Sequence, residues 1–322
     1  MSRQKLCAMW ARGHCTRGRC QDRHYKLEPN EQIPCDCPER SDAFPGGARF
    51  RHVERLADCA AAGKSLLGDA QSFCAAFYHV KETPEAGGAA ESCLRSAAAG
   101  ERRCSGKTVV CVARLSAPVG TAEAGAGDLE DVYVARYINC CSGALCAESS
   151  FLEDGELRLA VSERGGAGSR LILYLNTQPC HFSTDTRPNW SCSESLCRFQ
   201  QECLEPRSMK LQIIAAYPYR CHWDPKSVPG RLAPKIENAR KGSEFMRKAS
   251  PHVELRAFQP KDWEYLLQMC DARLREDHAK PEHEARIFTK QRREARVHMD
   301  AFAAECFSGQ PPWLHAQPCR AG

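Results

Sequence analysis

Apolar positions along this chain change period several times, and each change marks an element. Between 52 and 82, Val53, Leu56, Ala57, Ala60, Leu66, Leu67, Phe73 and Phe77 recur at helical spacing. Five β-branched or aromatic runs follow at 108–115, 131–137, 170–176, 209–217 and 253–259. Each is bounded by glycine, proline or charge, and each predicts a strand. Helical stretches fall between them at 145–157, 192–204 and 235–249. From 261 to about 305 the chain reads as helical and charged, with Pro281 placed to break it. Residues 83–107, rich in Gly, Ala and Glu, predict a long loop. Residues 28–48, with Pro34, Cys35, Cys37, Pro38, Pro45, Gly46 and Gly47, predict a linker.

This alternation predicts an α/β layered fold around one mixed sheet of five strands flanked by helices. The last two strands are joined by a helix, so they are expected to run parallel. The chain divides into 1–27, the 28–48 linker, a main α/β domain over 49–270 and a charged helical C-terminal extension over 271–322.

Composition changes the picture in two ways. The chain has 322 residues and 21 cysteines, and 43% of its residues are hydrophobic, enough for a sizeable core. No apolar stretch follows Met1, because Arg3, Lys5, Arg12, Arg17 and Arg19 interrupt it, and no run is long enough to cross a membrane. The expectation is a nuclear or cytoplasmic protein whose cysteines are metal ligands and buried thiols rather than disulfides. The formal charge of +5 is also uneven. Residues 1–30 and 220–250 each carry a local net +5, whereas 121–156 holds eight acids against one arginine. Two separated basic segments suit a polyanionic partner.

The chemistry sits in two cysteine constellations. The first is Cys7-x7-Cys15-x4-Cys20-x3-His24: four soft or borderline ligands within 18 residues, the composition of a closed structural zinc site. The second is Cys146-Ala147-Glu148, then Pro179-Cys180, then Cys192. A zinc centre that activates water needs three protein ligands, an open position and a nearby carboxylate that moves protons. This set offers those parts in order, and its cysteines fall near predicted helix starts, where free N–H groups favour thiolates. Cys197, one helical turn beyond Cys192, is the alternative third ligand.

On these residues the chain resembles the AID/APOBEC-like branch of the cytidine deaminases over roughly residues 50–270. Leu211–Tyr219 looks like that branch's fourth strand and aromatic substrate-facing loop, and Val253–Phe258 with Lys261-Asp262-Trp263 like its fifth strand and next helix. Cysteine stands at 146 where the family usually has histidine, and Thr177-Gln178 where it has Trp-Ser. The resemblance implies a cytidine-deaminase-like fold that deaminates cytosine to uracil in single-stranded DNA or RNA. Cys146, Cys180 and Cys192 would bind a catalytic zinc, Glu148 would be the general acid/base, and Tyr217 and Tyr219 would lie near the target base. The N-terminal motif resembles the CCCH zinc fingers, which implies a second, structural zinc and binding of single-stranded RNA. Trp10, Arg12, Arg17, Arg19 and Tyr25 would supply the rings and guanidiniums. Two other readings remain open: a catalytically inactive RNA-binding protein with a deaminase-like fold, and a free cytidine or deoxycytidine deaminase.

Overall fold

In a computed structural model of the chain, the described residues are 53–68, 73, 77–78, 109–119, 129–139, 146–184, 189–226, 228 and 230–308. The linker, the whole of the loop expected over 83–107 and the N-terminal cysteine motif lie outside them.

The β-branched runs pair into a six-stranded mixed sheet. Its strands are β1 (Val53–Arg55), β2 (Val110–Pro118), β3 (Leu129–Ile138), β4 (Arg170–Leu175), β5 (Lys210–Ala215) and β6 (Val253–Ala257), in the order β1-β3-β2-β4-β5-β6. β1–β3, β3–β2 and β2–β4 are antiparallel; β4–β5 and β5–β6 are parallel, as a helical crossover between the last two strands predicts.

The sixth strand corrects the five-strand expectation. Val53–Arg55 falls inside the stretch whose spacing predicts a helix over 52–82. The helical pattern takes effect only at α1 (Leu56–Ala61). The three residues before it extend along the edge of β3, with Glu54 opposite Arg136 and an ion pair between their side chains. Edge pairing and a charge partner on another strand outweigh the local helical period there.

Odd and even positions of the central strands face opposite sides, as a pleated strand requires. Val110, Val112, Ile172, Tyr174 and Ile214 enter one buried cluster, with Phe73, Phe77, Phe258, Trp263 and Leu266. Cys111, Ala113, Leu115, Leu171, Leu173, Leu175, Ile213 and Ala215 enter the other, with Ala147, Phe151, Leu196 and Phe199. Both faces are covered, so β2, β4 and β5 read as near-continuous apolar runs.

The helices after α1 are α2 (Ala147–Leu152), α3 (Gly155–Arg164), α4 (Cys192–Phe199), α5 (Ala233–Lys248), α6 (Pro260–Gln268), α7 (Ala272–Ala279) and α8 (Lys290–Phe307). The single helix expected over 145–157 is therefore two. Asp154 separates them by capping α3, accepting from the backbone N–H groups of Glu156 and Leu157. Beyond residue 270, Leu274, Ala285 and Phe288 lie in the same cluster as Trp263. Arg296 of α8 is buried, bonds the Ala216 carbonyl at 2.8 Å and pairs with Asp300. Among the described residues, no helix is long and apolar enough to cross a membrane.

Candidate metal centre

Three short segments bring three thiols to one place. Cys146 is the extended N-cap of α2, its carbonyl taking the Ser149 and Ser150 N–H groups. Cys192 is the first residue of α4, behind the N-cap Ser191, whose Oγ accepts the Glu194 N–H at 3.0 Å. Cys180 lies in the loop after β4 rather than at a helix start. Its carbonyl accepts the Ser193 N–H at 3.0 Å and the Ser193 hydroxyl at 3.1 Å, so the first turn of α4 holds it.

The three sulfurs lie within 4.8 Å of one another, with Cys180 and Cys192 buried and Cys146 partly so. This group could hold a metal ion. Sulfurs bound to one tetrahedral ion at about 2.3 Å would stand about 3.8 Å apart, so closure requires shifts under about 1 Å. The thiols are already linked. Hydrogen bonds from Cys146 and Cys192 pull Cys180 well below the ordinary thiol range. The bonds Cys192 makes with Cys146 and Cys180, together with burial, push Cys192 well above it.

Glu148 is 3% exposed and sits two residues beyond Cys146, in the first turn of α2. Burial raises its carboxyl to about 8, and charge on Cys146 adds to this; its own backbone N–H and the Cys192 thiol act in the opposite sense. Cys111 of β2 is completely buried within electrostatic reach of Glu148, and burial drives its thiol well upward. A thiol in the middle of an apolar strand gives no signal of that neighbour in the sequence.

Cys197 does not join the group. It is 3% exposed in the apolar cluster with Leu196 and Phe199, and burial, then Glu194, raise it to about 11. The two tyrosines separate. Tyr219 feels Cys180 and Cys146, and burial is the main cause of its raised hydroxyl pKa. Tyr217 turns the other way: its hydroxyl meets His222 Nε2 at 3.3 Å, and its charged neighbours are Cys221 and Cys306.

Gln178 ties these pieces together. Its side-chain amide donates to the Ala239 carbonyl at 3.2 Å and to Ser243 Oγ at 2.6 Å on α5. Its oxygen accepts the Tyr219 N–H and the Cys221 thiol, both at 3.3 Å. One buried side chain thus connects the cysteine loop, α5 and the loop after β5. The sequence marks it by the Thr177-Gln178 departure and the following Pro179-Cys180, but gives no sign of these contacts.

α5 lies flush against the same loop. A Cβ on Gly242 would meet His181 Cβ at 2.5 Å and Ser193 Oγ at 3.1 Å. His181 in turn bonds Ser191 Oγ through Nδ1 at 2.9 Å. Within the basic 220–250 segment, two arginines serve as loop ties. Arg220 donates to the Ser183 carbonyl at 2.9 Å and lies 5.0 Å from the Tyr219 ring centroid. Arg240 donates to the carbonyls of Cys221 and Trp223, each at 2.8 Å.

The other predicted site residues, Cys7, Cys15, Cys20, His24, Trp10, Arg12, Arg17, Arg19 and Tyr25, lie outside the described residues. Comparison with protein-family models and with curated proteins finds no match to this chain.

Proposed function

We propose that this chain is a zinc-dependent deaminase that converts cytosine to uracil in single-stranded RNA or DNA. The observation that carries the reading is the convergence of Cys146, Cys180 and Cys192 within 4.8 Å, beside the buried carboxyl of Glu148. The donor set fits zinc: three soft sulfur ligands, with no fourth donor in the group among the described residues, leave a position for a small ligand. When bound there, zinc would lower the pKa of water and supply hydroxide at neutral pH.

The remaining work falls to the protein. Glu148 hydrogen-bonds with Cys192, so its carboxyl reaches the cysteine group. From there it can take a proton from water and return it to the pyrimidine ring and the departing ammonia. A carboxyl whose pKa lies near neutrality exchanges protons in both directions. Tyr219, beside Cys180 and Cys146, offers a ring face to the base; stacking of that kind is tolerant of base identity. The mixed sheet with its two parallel final pairs supports the deaminase-like fold. The CCCH motif at Cys7, Cys15, Cys20 and His24 supports a second zinc and a nucleic-acid-binding finger, in a nuclear or cytoplasmic protein.

The test is incubation of the purified chain with single-stranded RNA and DNA oligonucleotides, reading C-to-U conversion. Glu148→Gln should lower turnover by at least about 100-fold with metal content unchanged, because it removes the proton carrier and keeps every ligand. Conversion by Glu148→Gln at the parent rate would refute the mechanism. If the parent converts neither oligonucleotides nor free cytidine, the inactive RNA-binding reading takes its place.

A further inference from the structure

A second pair of thiols lies away from the cysteine group. Cys221 follows β5 in the loop that carries Tyr217 and Tyr219, and Cys306 sits in the last turn of α8. Both are free and buried, and their sulfurs are within hydrogen-bonding reach of each other. Ring packing fixes the same approach independently. His222 lies edge-on to Phe302 with centroids 5.2 Å apart, and Phe302 is one helical turn before Cys306 on the same face. Tyr217 feels both sulfurs and packs edge-on against His222.

Cys306 also lines a cavity of about 590 Å³ between α5, β6 and the end of α8. Arg240, Lys241 and Arg247 line it as well, and Arg240 is bonded to the carbonyl of Cys221. Glu237, Glu244 and Glu254 balance these cations, and a small polar disulfide of either charge can enter the cavity that Cys306 lines. The last turn of a helix opens at low cost, which exposes this sulfur further.

We propose that Cys221 and Cys306 are a reversible disulfide site, oxidised by a low-molecular-weight disulfide such as oxidised glutathione, that fastens the loop after β5 to α8. The Cys306 thiolate attacks one sulfur of the small disulfide, giving a mixed disulfide and one released thiolate. Cys221, whose thiol burial raises well above the ordinary range, gives up its proton as its sulfur attacks the Cys306 sulfur, forming the internal bond and releasing the second thiolate. The two protons from the protein thiols pass to the two released thiolates. The protein pair is oxidised by two electrons and the small disulfide is reduced by two.

The bond would also remove the Cys221 proton that Gln178 accepts, leaving Gln178 Oε1 with the Tyr219 N–H. The redox state of the pair is thereby felt two residues from Cys180. The inference does not depend on the activity proposed above.

The experiment uses the full chain, saturated with zinc and exposed to oxidised glutathione, then alkylated and mapped by peptide mass spectrometry. The expected result is a Cys221–Cys306 cross-linked peptide that disappears on reduction with dithiothreitol. The thermal midpoint should rise by roughly 5–15 °C, because the bond closes a long loop between groups already in contact. Cys306→Ser and Cys221→Ser should each lose both signals. Alkylation of both cysteines after other thiols of the chain have been oxidised would overturn the proposal, and this reading needs no variant to fold. A cross-link that forms without raising the midpoint would overturn it too, because it would mean the sulfurs are not held at bonding positions.

Discussion

Asp154 shows how one residue holds several elements. Its carboxylate caps α3, accepts the hydroxyls of Tyr133 and Tyr137 on β3, and pairs with Arg55 at the end of β1. Burial alone would raise its pKa; the two tyrosine hydroxyls, Arg55 and the cap N–H outweigh it and hold the group below the ordinary 3.8. A carboxylate depressed in the folded state stabilises the protein above its unfolded pKa, and that contribution fades as pH falls through the lower folded value. Asp154→Asn keeps a capping side chain but loses the charge. It should cost about 1–3 kcal/mol in urea denaturation at pH 7, with the deficit narrowing below about pH 4. An equal deficit at pH 3 and pH 7 would show that the loss is steric. The same scale explains what could be read from the chain. Cys146 and Glu148, like Pro179 and Cys180, are neighbours in sequence, so their spacing was visible. Cys111 beneath Glu148, and Gln178 beneath Cys221 and Ser243, meet only through the fold and carry no local spacing signal. Cys192 rather than Cys197 lies with Cys146 and Cys180 because it opens α4 behind the Ser191 cap, a matter of helix register.

At the scale of elements, period and turn chemistry located every central strand to within a few residues, because β2, β4 and β5 are buried on both faces. What failed was local pattern against distant pairing. Val53–Arg55 joins a helical-looking stretch to the sheet through Tyr137, Arg136 and Ala135 of β3. The packing of α5 on the cysteine loop was equally hidden, since a glycine inside a helix reads only as a weak spot. Its role is a close approach. Gly242→Ala puts a methyl group at 2.5 Å from His181 Cβ, beside Cys180, and near Ser193, beside Cys192. On an exposed helix this substitution would stabilise. Here overpacking should dominate, at about 1–3 kcal/mol, and metal content should fall at limiting zinc because both flanks of the ligand set are displaced. A gain in the denaturation midpoint with full metal retention would mean that α5 yields freely and does not position the loop.

The whole molecule joins a core that extends past residue 270 to a cysteine-rich N-terminal motif. Truncation after Cys270 would remove Phe288, whose ring meets Tyr78, and Asp300, which accepts the Trp263 indole N–H. It would also remove Arg296 from the Ala216 carbonyl at the end of β5. A chain ending there should show no cooperative thermal transition, whereas one ending at 308 should keep it. At the other end the prediction is a division of labour. Deleting residues 1–27 removes seven Lys/Arg along with Cys7, Cys15, Cys20 and His24. Elemental analysis should then fall from two zinc ions per chain to one, if each complete ligand set holds one ion. Affinity for single-stranded RNA should drop, and the slope of log affinity against log salt should flatten by up to about 5, since each released phosphate contact contributes about 0.7. Trp10→Ala should reproduce part of that loss, roughly 1–3 kcal/mol, without releasing zinc, if a base stacks on the indole. Turnover of a short substrate at saturation should persist, because Glu148 and its three neighbouring thiols are not in the deleted segment. Unchanged RNA affinity and salt slope would assign the N-terminal motif a structural role and leave the 220–250 segment to carry the nucleic acid. That segment commits Arg220 and Arg240 to its own loops, so the N-terminal motif is the stronger candidate for the phosphate contacts.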